Sequence, residues 1–252
     1  MPSWHEDDRF WAILEPQLFS DARKKEAVEE AAQATKLLGV APGAQILDHC
    51  CGVGRHSVEL AKLGFRVTGV DRTSRYLELA RAHAAEQGVA VEFVHEDMRS
   101  FNRPQAFDGA VNLFTSFGYF EDPEDDLRVL SHLRVSLRPG ARLVMEMAGK
   151  EVLARIYTPK DWIEYPDGTV FLAERDVLPG WSMARNRWIT IRPDGERIEF
   201  NFAHRVYSGA EMESLVTRAG LKPVSICGGL DGRPYDRDAT RLVMVAQAGR
   251  AR

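Results

Sequence analysis

Two apolar rhythms alternate over the first 150 positions. Short, nearly continuous apolar runs predict buried strands at Ala44–Asp48, Phe65–Asp71, Val91–His95, Phe107–Leu113 and Ala141–Met147. Between them, apolar positions recur every three to four residues and predict helices. The first runs from Asp21, read as its cap, to about Leu38 and stops at Gly39. Others run from about Gly54 to Leu63, from Thr73 to Gln87 and from Pro123 to Ser136, the first two of these closed by Gly64 and Gly88. Strands alternating with helices specify a doubly wound α/β architecture, a parallel sheet with helices on both faces.

After Lys150 the pattern changes. From Asp161 to Tyr207 no long helical period is present, and aromatic-rich segments are broken by Pro166-Asp167-Gly168, Pro179-Gly180 and Pro193-Asp194-Gly195. Such segments predict antiparallel strands. Ser208-Gly209-Ala210-Glu211 then reads as a capping box opening a helix to Ala219, ended by Gly220. Strands near Lys222–Cys227 and Thr240–Ala246 close the chain. The expected division is a core at 1–150, an antiparallel β cap inserted at 151–207, and a return to the core sheet at 208–252.

Composition narrows the partners. The 252 residues are 44% hydrophobic and 28% charged, which fits one large domain or one domain with an insertion. The net charge of −4 leaves no basic excess for a nucleic-acid backbone. No apolar run approaches the ~20 residues of a membrane span, and Met1-Pro2-Ser3-Trp4-His5-Glu6-Asp7-Asp8 has no apolar signal core. Cys50, Cys51 and Cys227 form neither a disulfide framework nor a metal motif. The expectation is a cytoplasmic protein with reduced thiols, no metal, no nucleic acid and no membrane partner.

The candidate chemistry begins where the first strand turns into a helix, at Leu47-Asp48-His49-Cys50-Cys51-Gly52-Val53-Gly54-Arg55-His56-Ser57. In open α/β sheets, ligands bind at such strand carboxyl ends. Small residues there let the backbone approach a ligand. Asp71 ends the second strand, where an acid can accept both ribose hydroxyls. Glu96-Asp97-Met98 follows the third strand and could hold an adenine. A nicotinamide enzyme is the nearest rival, but it favours a third glycine where Ser57 stands.

The strings Ile46 to Gly54, Val67-Thr68-Gly69-Val70-Asp71, His95-Glu96-Asp97-Met98, Phe107-Asp108-Gly109-Ala110 and Leu137-Arg138-Pro139-Gly140 resemble the class I S-adenosylmethionine-dependent methyltransferase superfamily. Cys50 departs from the glycine usual there. The resemblance implies a Rossmann-like seven-stranded sheet with its last strand antiparallel and S-adenosylmethionine as cofactor. It implies that Asp48, Cys50, Gly52 and Gly54 lie beside the methionine part. Asp71, with Arg72 next to it, would hold the ribose, Asp97 and Met98 the adenine, and Leu113 and Phe114 would lie near the sulfonium. Phe114 to Phe120, Arg55-His56-Ser57, the β-rich insertion and Cys227 to Tyr235 further resemble small-molecule enzymes that include amino-sugar N-methyltransferases.

Methyl transfer at a sulfonium carbon needs alignment, exclusion of water and, for some acceptors, a base. His204, Tyr207, Tyr119 and Glu146 are the candidates. His56 reads better as a structural partner. Trp162, Trp181 and Trp188 could wall a pocket, staple the cap or meet a second copy in a homodimer. Trp4, Phe10, Trp11 and Phe19 could form a lid or simply pack on the sheet edge. The expected activity is methylation of a small molecule at nitrogen, oxygen or carbon. The alternatives are a non-catalytic binder of S-adenosylmethionine or S-adenosylhomocysteine, and an NAD-dependent oxidoreductase.

Overall fold

The computed structural model describes residues 3–249, so Met1 and Pro2 of the acidic N-terminal stretch lie outside it. A 3-10 turn at Trp4–Glu6 precedes α1 (Asp8–Leu18) and α2 (Asp21–Leu38). The core then alternates: β1 (Gln45–His49), α3 (Arg55–Lys62), β2 (Arg66–Asp71), α4 (Ser74–Glu86), β3 (Val91–His95), β4 (Phe107–Asn112), α5 (Pro123–Ser136) and β5 (Leu137–Met147). A short α6 (Lys150–Ile156) leads into β6 (Lys160–Glu164), β7 (Val170–Val177), β8 (Met183–Ile191) and β9 (Arg197–Arg205). The chain returns through α7 (Gly209–Arg218), β10 (Leu221–Cys227) and β11 (Leu242–Ala248).

The main sheet has seven strands in the order β10-β11-β5-β4-β1-β2-β3. β1 pairs in parallel with β2 and β4, and β4 with β5, whereas β11 runs antiparallel to both β5 and β10. This is the Rossmann-like sheet with the last strand reversed. Strand alternation sorts its core into two layers. Leu47, Ala110, Leu143 and Met244 face α5 and α7 through Leu130, Leu133 and Met212. Ile46, Val111, Val144 and Val243 face α2 through Ala31, Ala34 and Leu38. Each fully buried Leu, Ile or Met contributes roughly 1.5–3 kcal/mol.

Local sequence explains the boundaries. Asp122 caps α5 by accepting from the Glu124 amide, with Pro123 in the first turn. Ser208 and Glu211 form the predicted capping box of α7. Asp21 is the first residue of α2 rather than its cap, because Ser20 is the extended residue before it. The sequence reading has no element at α6, whose seven residues show too few turns to establish a period.

Strands β6 to β9 form a separate four-stranded antiparallel sheet. The predicted turn residues sit between its strands, and Asp167 accepts from the Thr169 amide at the first of them. The sheet rejoins the core at Gly118, whose carbonyl accepts from the Arg205 amide at 2.6 Å. A Cβ at Gly118 would lie 2.5 Å from the Arg205 carbonyl oxygen, and its φ is +89°. Only glycine allows that approach. Among the described residues, no helix is long and apolar enough to cross a membrane.

Candidate active site

The sheet order reverses between β1 and β4, and in open α/β sheets a crevice forms at such a point. A cavity of about 350 Å³ opens there, bounded by the tips of β1 to β4, the N-terminal segment and the β6–β9 sheet. Asp48, Cys50, Gly52, Asp71, Arg72, Asp97, Met98, Leu113 and Phe114 all line it. Gly54 does not: it caps α3 at φ +74°, and a Cβ there would meet Ala80 and Phe93. Its smallness serves helix packing.

The tip of β1 passes through Cys50 and Gly52, both with positive φ. That curvature aims the Gly52 amide at the Asp71 carboxylate, 2.8 Å away, while the Thr73 amide donates to the other oxygen at 2.8 Å. Asp71 is thereby fixed while each oxygen keeps a further lone pair. Burial pushes its carboxyl above the usual range despite these amides. Asp48 is buried and accepts from the Ser57 hydroxyl at 2.5 Å. Burial also raises its pKa, against the pull of His56 and Ser57.

At the tip of β3, burial disfavours the Asp97 carboxylate, but bonds from the Arg99 amide and guanidinium outweigh it and hold the pKa low. Met98 and Cys50 touch, sulfur to sulfur, at 3.7 Å. Burial, then the nearby carboxylates of Asp71, Asp48 and Asp97, pushes the Cys50 thiol well up. Cys50 is thus a small, neutral, polarisable wall.

Beyond β4 the loop is strained. Phe114 and Thr115 both sit in the left-handed region, at φ +61° and +57°. Such residues cost about 1–2 kcal/mol each and need outside support. Glu146 supplies it. Its Oε2 accepts from the Phe114 amide at 2.7 Å, its carbonyl accepts from Thr115, and its Oε1 pairs with Arg241 at 2.8 Å. Glu146 does not line the cavity. It is corrected from candidate base to support of the loop, since both its oxygens are engaged.

Arg55 lies over the Phe114 ring at 4.8 Å and donates to Glu30 at 2.5 Å. His56 contacts the same Glu30 oxygen at 2.8 Å. Burial opposes the Glu30 charge, but His56 and Arg55 together hold its pKa down to about 2. His56 therefore has the structural partner its position suggested.

The N-terminal segment forms one wall of the cavity. Trp4, His5, Phe10, Trp11 and Phe19 line it. Arg72 donates to the carbonyls of His5 and Glu6, and Arg99 bridges Glu6 and Asp97. The residues beside Asp71 and Asp97 thus also hold this wall in place. Phe19 packs on Gly52, where a Cβ would come within 3.0 Å of the ring.

The adjoining wall, in contact with the N-terminal segment, comes from the β6–β9 sheet. Trp188, Phe202 and His204 line it, with Tyr119 from the β4 loop. Burial lowers the His204 pKa to about 4. Its Nδ1 lies 3.4 Å from the Asn186 amide nitrogen. The neighbouring Arg205 guanidinium instead donates to the Glu121 carbonyl and lies near Asp126, as strand alternation requires. The Tyr119 hydroxyl donates to the Thr115 carbonyl, and burial raises its pKa. Tyr207 is corrected: it lies outside the cavity, and its hydroxyl donates to the buried Asp126 at 2.6 Å, against Phe117. Trp181 packs on Tyr157, and Trp162 is 67% exposed on edge strand β6.

The sequence reading missed His5, Arg99, Glu30 and Phe202. Arg99 had a detectable signal, two residues after a strand-tip acid, but Phe202 carried none beyond strand alternation. Among the described residues, no group of three or more His, Cys, Asp or Glu could hold a metal.

Residues 46–140 match the family model described as a methyltransferase domain. The chain is 33% identical over 119 residues to the mitochondrial ubiquinone biosynthesis O-methyltransferase of Schizosaccharomyces pombe, covering 46% of this chain and 42% of that one. It spans about half the length of the curated relatives it matches. The CcbJ methyltransferase of Streptomyces caelestis superposes with a TM-score of 0.77 at 22% identity, covering 89% of this chain and 90% of that one. The S-adenosylmethionine-bound amino pentose methyltransferase CalS10 of Micromonospora echinaspora gives 0.69 at 21% identity, covering 95% and 96%. These likenesses establish the fold.

Proposed function

We propose that this chain, built around a methyltransferase domain, is an S-adenosylmethionine-dependent enzyme that methylates a small molecule at nitrogen, oxygen or carbon. The observation that carries this reading is the convergence of Asp48, Asp71 and Asp97 from three neighbouring strand tips on one cavity. When bound, S-adenosylmethionine supplies an electrophilic methyl group on a sulfonium.

The residues present fit that group. Asp71, fixed by two amides, has lone pairs left for a ribose diol. Asp97 and Met98 offer an acceptor and an apolar face for the adenine. The buried acid Asp48 suits a cationic amino-acid end, and Leu113 and Phe114 would flank the sulfonium. Arg72 acts at one remove, by holding the N-terminal wall closed. A nicotinamide reading is weakened because the Ser57 side chain occupies the position of the third glycine and is bonded to Asp48.

The chain's own chemistry is positioning and exclusion of water. His204 is the base this reading favours, with Tyr119 beside it, since both face the cavity. Its low pKa keeps the ring neutral at physiological pH, a weak base suited to accepting a hydrogen bond from the methyl acceptor's N–H or O–H and directing it. Residues 1–150 and 208–252 would form the catalytic core and 151–207 the cap that closes it. The acidic net charge supports a small molecule over nucleic acid. Exposed Trp162 and Ile163 on edge strand β6 support a homodimer. Three free thiols, two of them adjacent, support a reducing cytoplasmic setting.

The test is transfer of labelled methyl from S-adenosylmethionine to a panel of phenols, amines and keto acids. Product formation is expected, with an acidic limb near pH 4 rather than 6.5, because His204 loses its proton near 4. Tight cofactor binding without transfer to any acceptor would favour a non-catalytic binder instead.

A further inference from the structure

The cavity is sorted by charge and polarity. Its four acids, Asp48, Asp71, Glu96 and Asp97, all come from the strand tips assigned to the cofactor. The N-terminal segment, the β4 loop and the cap contribute aromatic faces instead. Trp4 lies 4.9 Å from both Tyr119 and Phe202, and Trp188 lies 4.8 Å from Phe202, centroid to centroid.

The polar handles of these rings are largely spent on the protein itself. The Trp4 indole donates to the Ala203 carbonyl at 2.9 Å and the Trp11 indole to the His5 carbonyl at 3.0 Å. The Tyr119 hydroxyl donates to Thr115 at 2.9 Å, and Ser116 donates to Leu113 at 2.8 Å. What stays unspent is small. The Trp188 indole N–H is buried with no partner among the described residues. The Thr115 hydroxyl accepts from the Ala148 amide and keeps its own proton to donate. His204 keeps one ring nitrogen beyond the contact with Asn186.

We infer that the methyl acceptor is a flat, uncharged aromatic hydroxyl or amine, and not a sugar. This rests on the methyltransferase reading above. A sugar brings several hydroxyls into a wall with few free partners, and each polar group left unpaired there disfavours binding. A protonated amine finds no lining carboxylate among the aromatic faces, since the lining acids all stand at the strand tips. An aromatic ring instead stacks on the Trp4, Tyr119 and Phe202 faces. Its one polar group needs only one of the unspent handles that Thr115, Trp188 and His204 offer.

The experiment is saturation-transfer NMR on the full chain with S-adenosylhomocysteine present, using 2-naphthol and glucosamine as probes. The expected result is transfer to 2-naphthol and none to glucosamine. Phe202→Ser is expected to weaken 2-naphthol binding at least tenfold without changing S-adenosylhomocysteine affinity by calorimetry. His204→Gln gives the same readout where Phe202→Ser fails to fold. Binding of glucosamine alone, binding of neither probe, or 2-naphthol affinity unchanged in the variants would overturn the inference. Failure of S-adenosylhomocysteine itself to bind would overturn the methyltransferase reading beneath it, and the calorimetric trace separates the two outcomes.

Discussion

The two sides of the cavity are built on different principles. On the strand-tip side, each acid stands at or just past the end of a parallel strand and is fixed by residues of the strand tips and the helix starts that follow them. Asp71 is held by Gly52 and Thr73, Asp97 by Arg99, and Asp48 by Ser57. On the aromatic side, Trp4, Tyr119 and Phe202 come from three distant stretches and meet only when the β6–β9 sheet and N-terminal segment fold over the core. A fold can keep the first side constant and vary the second, because the parallel sheet alone sets the first.

If that division is real, damage on one side should leave the other intact. The largest effect is expected at Asp71→Ala. Losing charged hydrogen bonds should weaken S-adenosylhomocysteine binding by ~1.5–3 kcal/mol, roughly 10–150-fold, in a protein that still melts cooperatively. Calorimetry beside a melting curve reads both, and an unchanged affinity would remove Asp71 from the ribose site.

A smaller effect is expected where the cap is anchored. Asp126 is fully buried, and burial raises its pKa to about 6 despite the Tyr207 bond and the nearby Arg205. A carboxyl whose folded pKa lies above its unfolded value of 3.8 stabilises the fold below that value, and this contribution is lost as pH rises through about 6. Asp126→Asn keeps an oxygen for Tyr207 and removes the buried charge. It should stabilise the protein on the order of 2 kcal/mol at pH 7.5, and the gain should vanish near pH 4. Paired thermal melts at the two pH values check this. A gain of equal size at both pH values would mean that it does not come from removing the Asp126 charge, and no gain at pH 7.5 would mean that this charge is compensated.

The same division explains what the sequence made legible. Strands and helices follow from periodicity and the glycine stops, whereas the reversed last strand is expected only from the family resemblance. The strand-tip acids repeat once per βα unit, so Asp48, Asp71 and Asp97 can be found without coordinates. Glu146 misleads because an acid at a strand end does not reveal whether it faces a crevice or a neighbouring loop amide. Tyr207 misleads because the chain turns after Arg205 and carries it to Asp126. Gly54 belongs to the motif by spacing, yet its role is contact with α4 and β3. Phe202 and His5 join the cavity through tertiary folding alone, and no local pattern marks them.

The most direct measurement is a calorimetric titration of the full chain with S-adenosylmethionine, S-adenosylhomocysteine and NAD in parallel. Saturable binding of the two sulfur nucleosides and none of NAD is the predicted result. Binding of NAD alone would contradict the assignment of these three strand-tip carboxylates to an adenosyl sulfonium.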